Sequence, residues 1–175
     1  MNKLIITALG LVAALSAYAQ GTFNASNNFT PAGASAKAFV LSPAGTPLAK
    51  ANGKVEVLAA DGTVLGSGNL ALDGLFFING LVAPGSATGG SANIVVRAWD
   101  STTGATYDAA LTRGSVNVTV NSLGGGTTPA ATFAANSNFV GLTLSGSTPV
   151  VPEPSTVALA ALGVAGLFVV ARRKN

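Results

Sequence analysis

Apolar residues recur at every second position through much of this chain, and that period assigns strands. Lys54 to Ala60 reads KVEVLAA, which puts Val55, Val57 and Ala59 on one face. Ser115 to Val120 reads SVNVTV and turns Val116, Val118 and Val120 the same way. Asn93 to Trp99 (NIVVRAW) is the strongest strand by pattern and by β-branched content. Gly21 to Phe29, Lys37 to Ser42 and Asn138 to Ser145 are three further strand segments. Leu75 to Ile78 (LFFI) does not alternate; a continuous apolar run of that length predicts a buried strand.

Turn chemistry separates these segments. Pro43-Ala44-Gly45 closes the second strand, and Asp61-Gly62 marks a hairpin from which Thr63 to Leu65 returns. Asn79-Gly80 bounds the LFFI run. Asp100 to Thr106 reads as a turn centred on Gly104, with Tyr107 onward pairing back. Asn121 to Ala130 is a Gly/Thr/Pro loop. Glu, Lys and Gln are scarce, and no helix is expected between the strands. The fold class expected for residues 20–148 is therefore all-β. The expected form is a single antiparallel β-sandwich with immunoglobulin-like or jelly-roll-like connections, and a small barrel ranks second. The Cys and Trp marks of true immunoglobulin domains are missing, and no repeat of fixed period occurs.

The two ends follow a different pattern. Lys3 supplies a positive start, Leu4 to Ser16 an apolar run, and Ala17-Tyr18-Ala19 a small-residue cleavage site. Residues 1–19 read as a signal peptide for signal peptidase, with Ala17 and Ala19 as cleavage residues and Gln20 as the new start. At the other end Val157 to Ala171 is apolar throughout. Such a helix is about 22 Å long at ~1.5 Å per residue, a short membrane span. Arg172, Arg173 and Lys174 follow it, can snorkel to the interface, and mark that end as cytoplasmic, a membrane stop. Ahead of the helix, Pro152 and Pro154 hold Val151 and Glu153 in extended backbone, a shape that an enzyme cleft can grip.

These parts resemble a PEP-CTERM sorting signal: Pro152, Glu153, Pro154 and Ser155, then the apolar helix, then Arg172 and Arg173. The tripeptide alone is a weak signal; the three parts in order are a specific one. The resemblance implies recognition of residues 149–175 by an exosortase, in Gram-negative bacteria that make exopolysaccharide. It implies a membrane-held precursor whose cargo passes to the cell surface or extracellular matrix. A second resemblance covers residues 93–110, NIVVRAWDSTTGATYDAA, which is similar to a segment of small exported PEP-CTERM proteins of verrucomicrobial type. It implies a β-rich exported domain and no activity.

Charge then changes meaning. The formal net charge is +3. Between the ends, Lys37, Lys50, Lys54, Arg97 and Arg113 stand against Glu56, Asp61, Asp73, Asp100 and Asp108, and cancel. The basic excess belongs to Lys3 and the terminal cluster, where it sets topology. Nothing remains to neutralise a phosphate backbone, so nucleic acid is not an expected partner.

Catalytic chemistry is thin. The chain holds no Cys and no His, which removes disulfides, Ser-His-Asp triads, Cys-His dyads and His-ligated metals. No S-x-x-K occurs in residues 20–148 to support a Ser–Lys site. Asp61 and Asp73 each precede a glycine, Asp100 opens a turn, Glu56 lies on a polar strand face and Asp108 near a strand start. These are placements of turn formers and solvated faces rather than of a glycosidase pair. No EF-hand loop appears, and Gly66-Ser67-Gly68 and Gly124-Gly125-Gly126 are turns rather than nucleotide loops. Trp99 and Tyr107 can stack on sugars, yet Trp99 ends an apolar strand and is expected in the core against the opposite sheet. Asn24-Ala25-Ser26, Asn28-Phe29-Thr30 and Asn117-Val118-Thr119 match the glycosylation pattern by chance in an Asn/Thr-rich chain. The expectation is a non-enzymatic exported protein without cofactor or metal, associated with exopolysaccharide. A carbohydrate-binding or adhesin module held at the surface by its C-terminal helix is the alternative.

Overall fold

The computed structural model describes residues 20–146. The expected signal peptide with Ala17 and Ala19 lies outside the described residues. So does the expected tail, with Pro152, Glu153, Pro154, Ser155, the apolar helix, Arg172, Arg173 and Lys174. Among the described residues no helix is long and apolar enough to cross a membrane.

The alternating segments form the larger sheet. Strand β3 (Gly53–Ala59) pairs along its whole length with β6 (Ala92–Asp100), Val57 opposite Val96 and Val55 opposite Ala98. β6 pairs in turn with β7 (Thr112–Val120), Ile94 opposite Val118. The Asp61-Gly62 turn returns the chain as β4 (Val64–Asn69) on the outer side of β3. Ala59 N–H donates to the Thr63 carbonyl at 2.8 Å, closing that hairpin as expected. With β10 (Ser145–Gly146) beside β7, the order is β10-β7-β6-β3-β4, antiparallel throughout. One alternation slips. The β3–β4 register skips Leu65, a bulge, and Leu58 is buried while Ala59 is half-buried.

The smaller sheet departs further from expectation. β1 (Gly21–Ser26) ends short of Phe29, and β5 (Phe77–Ala83) lies antiparallel to it. The LFFI run is split between two roles. Leu75 and Phe76 are buried ahead of the strand, whereas Phe77 opens β5 at 60% exposure. Asn79-Gly80 is not a boundary but a bulge inside β5, where two residues stand opposite Asn24. Gly80 has φ 67, which a residue without Cβ adopts freely, and its N–H donates to Asn24 Oδ1 at 2.9 Å. On the far side of β1 lies β8 (Ala131–Thr132), in parallel register.

The fold is thus mostly β and built from several sheets, but it is not purely antiparallel. Besides β1–β8, β2 (Val40–Leu41) pairs in parallel with β9 (Leu142–Thr143). The expected strands over 37–42 and 138–145 shrink to these two-residue pieces plus β10. A single-turn helix, α1 (Phe133–Asn136), was not expected at all. Two-residue strands and one helical turn carry no period, so the pattern could not announce them.

One core joins the sheets. Val55, Val57, Ile94, Val96, Val118 and Val120 of the larger sheet cluster with Phe23, Ala25, Leu81 and Ala83 of the smaller. Phe133, from α1, is the aromatic hub. It stacks on Phe23 at 6.3 Å between centroids and meets Phe76 edge-on at 6.4 Å and Phe139 at 5.7 Å. Fully burying such a side chain contributes about 1.5–3 kcal/mol. This explains how so short a helix is held.

Candidate functional site

The route to the tail starts at β10. Ser145 stands opposite Arg113 and Gly146 opposite Thr112, at the beginning of β7, and both β10 residues are exposed. From Gly146 the sequence reaches Pro152 through Ser147-Thr148-Pro149-Val150-Val151. Fully extended, that stretch reaches about 20 Å from the fold. Anything that grips Pro152 therefore works close to this end of the domain.

The loop between β6 and β7 covers the same end, and it holds Trp99 in an unexpected place. Ile94, Val96 and Ala98 face the core, so Trp99, of opposite parity, lies on the outer face of the larger sheet. It is nonetheless buried, with Tyr107 of the loop set edge-on against it at 6.2 Å. Tyr107 does not pair back in a strand; β7 starts only at Thr112. Arg97 and Arg113 flank its ring at 4.7 and 5.2 Å. Arg97 is in turn held by Glu56 at 2.7 Å, and Arg113 Nη1 donates to the carbonyls of Tyr107 at 2.9 Å and Asp108 at 2.7 Å. The cluster clasps the loop onto the sheet. Trp99 Nε1 is buried without a hydrogen-bond partner. A ring covered in this way offers no face for a ligand.

Residues 150–174 match the family model for the PEP-CTERM protein-sorting motif. The chain carries a PEP-CTERM sorting signal. No curated protein and no solved structure matches the chain. The signal identifies the tail as the part that an exosortase recognises, on an exported precursor that transits the membrane. Pro152, Glu153, Pro154, Ser155, Arg172, Arg173 and Lys174 all fall inside the matched stretch.

In the domain ahead of the PEP-CTERM signal, the carboxylates are dispersed. Glu56 serves Arg97. Asp61 Oδ1 accepts the Thr63 N–H at 2.9 Å, and these turn bonds hold its carboxyl below the ordinary value. Asp73 accepts the Lys50 N–H at 2.7 Å, and Asp100 the Thr102 N–H at 2.9 Å. Asp108 lies 3.9 Å from Arg113. Among the described residues no group of three or more His, Cys, Asp or Glu is placed to hold a metal ion.

One polar residue central to the fold escaped the sequence reading. Asn27 is completely buried. Its Nδ2 donates to the carbonyls of Ala38 and Gly74, each at 2.8 Å, and its Oδ1 accepts the Phe76 N–H at 2.6 Å. The signal was parity. Phe23 and Ala25 point inward, so position 27 continues an inward row with an amide.

Proposed function

We propose that the chain is the precursor of a non-enzymatic exported protein, a β-sandwich cargo delivered by its tail. Signal peptidase removes residues 1–19 after Ala19, with Ala17 and Ala19 as the recognised pair. The C-terminal apolar helix then holds the precursor in the membrane transiently, with Arg172, Arg173 and Lys174 on the cytoplasmic side. An exosortase recognises Pro152, Glu153, Pro154 and Ser155 and cleaves nearby. The domain passes to the cell surface or extracellular matrix, where it associates with exopolysaccharide. The observation that carries this reading is the sorting motif at 150–174, directly behind a domain whose last strand ends at Gly146. The five-stranded and three-stranded sheets packed around one core support the sandwich over the small barrel. The 93–110 segment supports a verrucomicrobial type of cargo.

Pulse-chase labelling with mass spectrometry of the mature protein tests the processing step. The expected product lacks Arg172 to Asn175 in cells with an active exosortase and keeps them when the exosortase is inactivated. Retention of those residues in both strains overturns the reading. A glycan-binding module held at the surface is a second reading. It is favoured by one observation, the exposed ring of Phe77 on the outer face of the smaller sheet.

A further inference from the structure

Asn27 fixes three chain segments from inside, and the residue next to each anchored position emerges on the outside. Asn28 follows Asn27 itself, Phe77 follows the bonded Phe76, and Lys37 precedes the bonded Ala38. All three are exposed, Phe77 at 60%. Phe77 with Phe29, Phe133 and Ala134 forms the apolar part, and Asn24, Ser26, Asn28 and Thr132 the polar part, of the lining of an open cleft of about 300 Å³ on the outer face of the smaller sheet. Asn24 Oδ1 is engaged by the Gly80 N–H at 2.9 Å and Asn28 Oδ1 by Lys37 Nζ at 2.7 Å. That leaves the Nδ2 of each amide to donate outward. No charged residue lines the cleft, and the Lys37 ammonium stands beside it on the lining Asn28.

We propose that this cleft binds an acidic polysaccharide. A pyranose has an apolar C–H face and a rim of hydroxyls. The Phe77 ring offers a flat apolar surface for the first, and the amides and hydroxyls around it pair with the second. Lys37 meets a uronate carboxylate. The charge of the site thus selects an anionic glycan over a neutral one. A single cation does not suit a nucleic acid, and the apolar lining from Phe77, Phe29 and Ala134 is far smaller than the contiguous patch of a lipid-docking face. Rigidity also fits the assignment. The backbone next to Asn28, Phe77 and Lys37 is pinned by the same buried amide, so little order has to be imposed there on binding. The inference rests on the exopolysaccharide reading for the source of the ligand and not on tail cleavage.

Affinity electrophoresis of the full chain in mild detergent, through gels containing polygalacturonate or dextran, provides the test. Polygalacturonate is expected to retard the protein and dextran to do so about tenfold less strongly. Phe77→Ala is expected to weaken retardation by about tenfold or more, while Phe77→Tyr keeps it. Lys37→Gln removes the preference for polygalacturonate. Leu72→Ala, at an exposed apolar residue outside the cleft, leaves retardation unchanged. Undiminished retardation of Phe77→Ala, equal retardation by dextran, or none by polygalacturonate overturns the proposal. Tail processing is read separately by pulse-chase. Cleavage without glycan binding sinks only this site, and binding without cleavage sinks only the processing step.

Discussion

The Phe76 N–H is bonded to the side-chain oxygen of Asn27, 2.6 Å away and fully buried. The same amide donates to two carbonyls; its removal orphans the Phe76 N–H and the Ala38 carbonyl, while the Gly74 carbonyl keeps the Val40 N–H at 2.8 Å. Leaving buried backbone groups unpaired costs about 1–3 kcal/mol each. Asn27→Ala is expected to lower stability by on the order of 3 kcal/mol, read as a shift of the urea midpoint. Asn27→Asp should be no better, because a carboxylate oxygen would then face the Ala38 and Gly74 carbonyls. A midpoint unchanged in both variants would show that the amide does not hold these segments.

Phe133 makes a second, independent demand on the core. Its ring touches Phe23, Phe76 and Phe139 and is completely buried. Phe133→Ala is expected to cost about 3–5 kcal/mol and to release α1 and β8 together. Val140→Ala, at a residue 72% exposed, should stay within about 0.5 kcal/mol of the parent. Equal denaturation midpoints for the two variants would contradict the hub role.

Strand period made the larger sheet legible. Val55, Val57, Val118 and Val120 face the core as the alternation required, and Asp61-Gly62 turns the chain where expected. Trp99 shows how the same period was underused. Its apolar character pointed to the core, yet its parity with Arg97 placed it outside. Asn27 is the mirror case, a polar residue on an inward row. The stretch from Ala131 to Gly146 was hidden for a different reason. Its pieces are each two to four residues long, and tertiary contacts to Phe23, Val40 and Arg113, not local pattern, define them. Of the sites, the sorting signal was fully visible as three ordered parts. The Phe77 cleft was not, because LFFI read as uniformly buried and only the pairing of Ser26 with Phe77 turns that ring outward.

Asp61 ties stability to acid. The Thr63 N–H and hydroxyl favour its ionised form in the fold and hold its carboxyl below the ordinary value of 3.8. The stabilisation is therefore complete above that value and is lost as the pH falls through the lower, folded value. Asp61→Asn keeps an acceptor for the Thr63 N–H, so stability near neutral pH should barely change. The acid limb of the stability–pH curve should become shallower below about pH 4. An identical acid limb in the parent and Asp61→Asn, followed by urea denaturation across that range, would exclude the linkage.

Gly104 decides whether the loop can stay closed over Trp99. A Cβ at this position would run into the backbone of Ala109 and Ala110, on the returning limb of the loop. Backbone cannot rotate away as a side chain can, so Gly104→Ala must push the limbs apart and lift Tyr107 from the indole. The chain holds a single tryptophan, so its emission reports on this contact alone. A red shift toward the solvated indole is expected in Gly104→Ala, with a loss of about 1–3 kcal/mol. Gly68→Ala is the control, since a Cβ there meets only an ordinary contact with Ile78 at 4.0 Å. The larger sheet lies under the loop and is paired through β3, β6 and β7, so far-UV circular dichroism should hardly change. Unaltered emission in Gly104→Ala would mean that the clasp of Arg97, Tyr107 and Arg113 closes over Trp99 without needing the glycine.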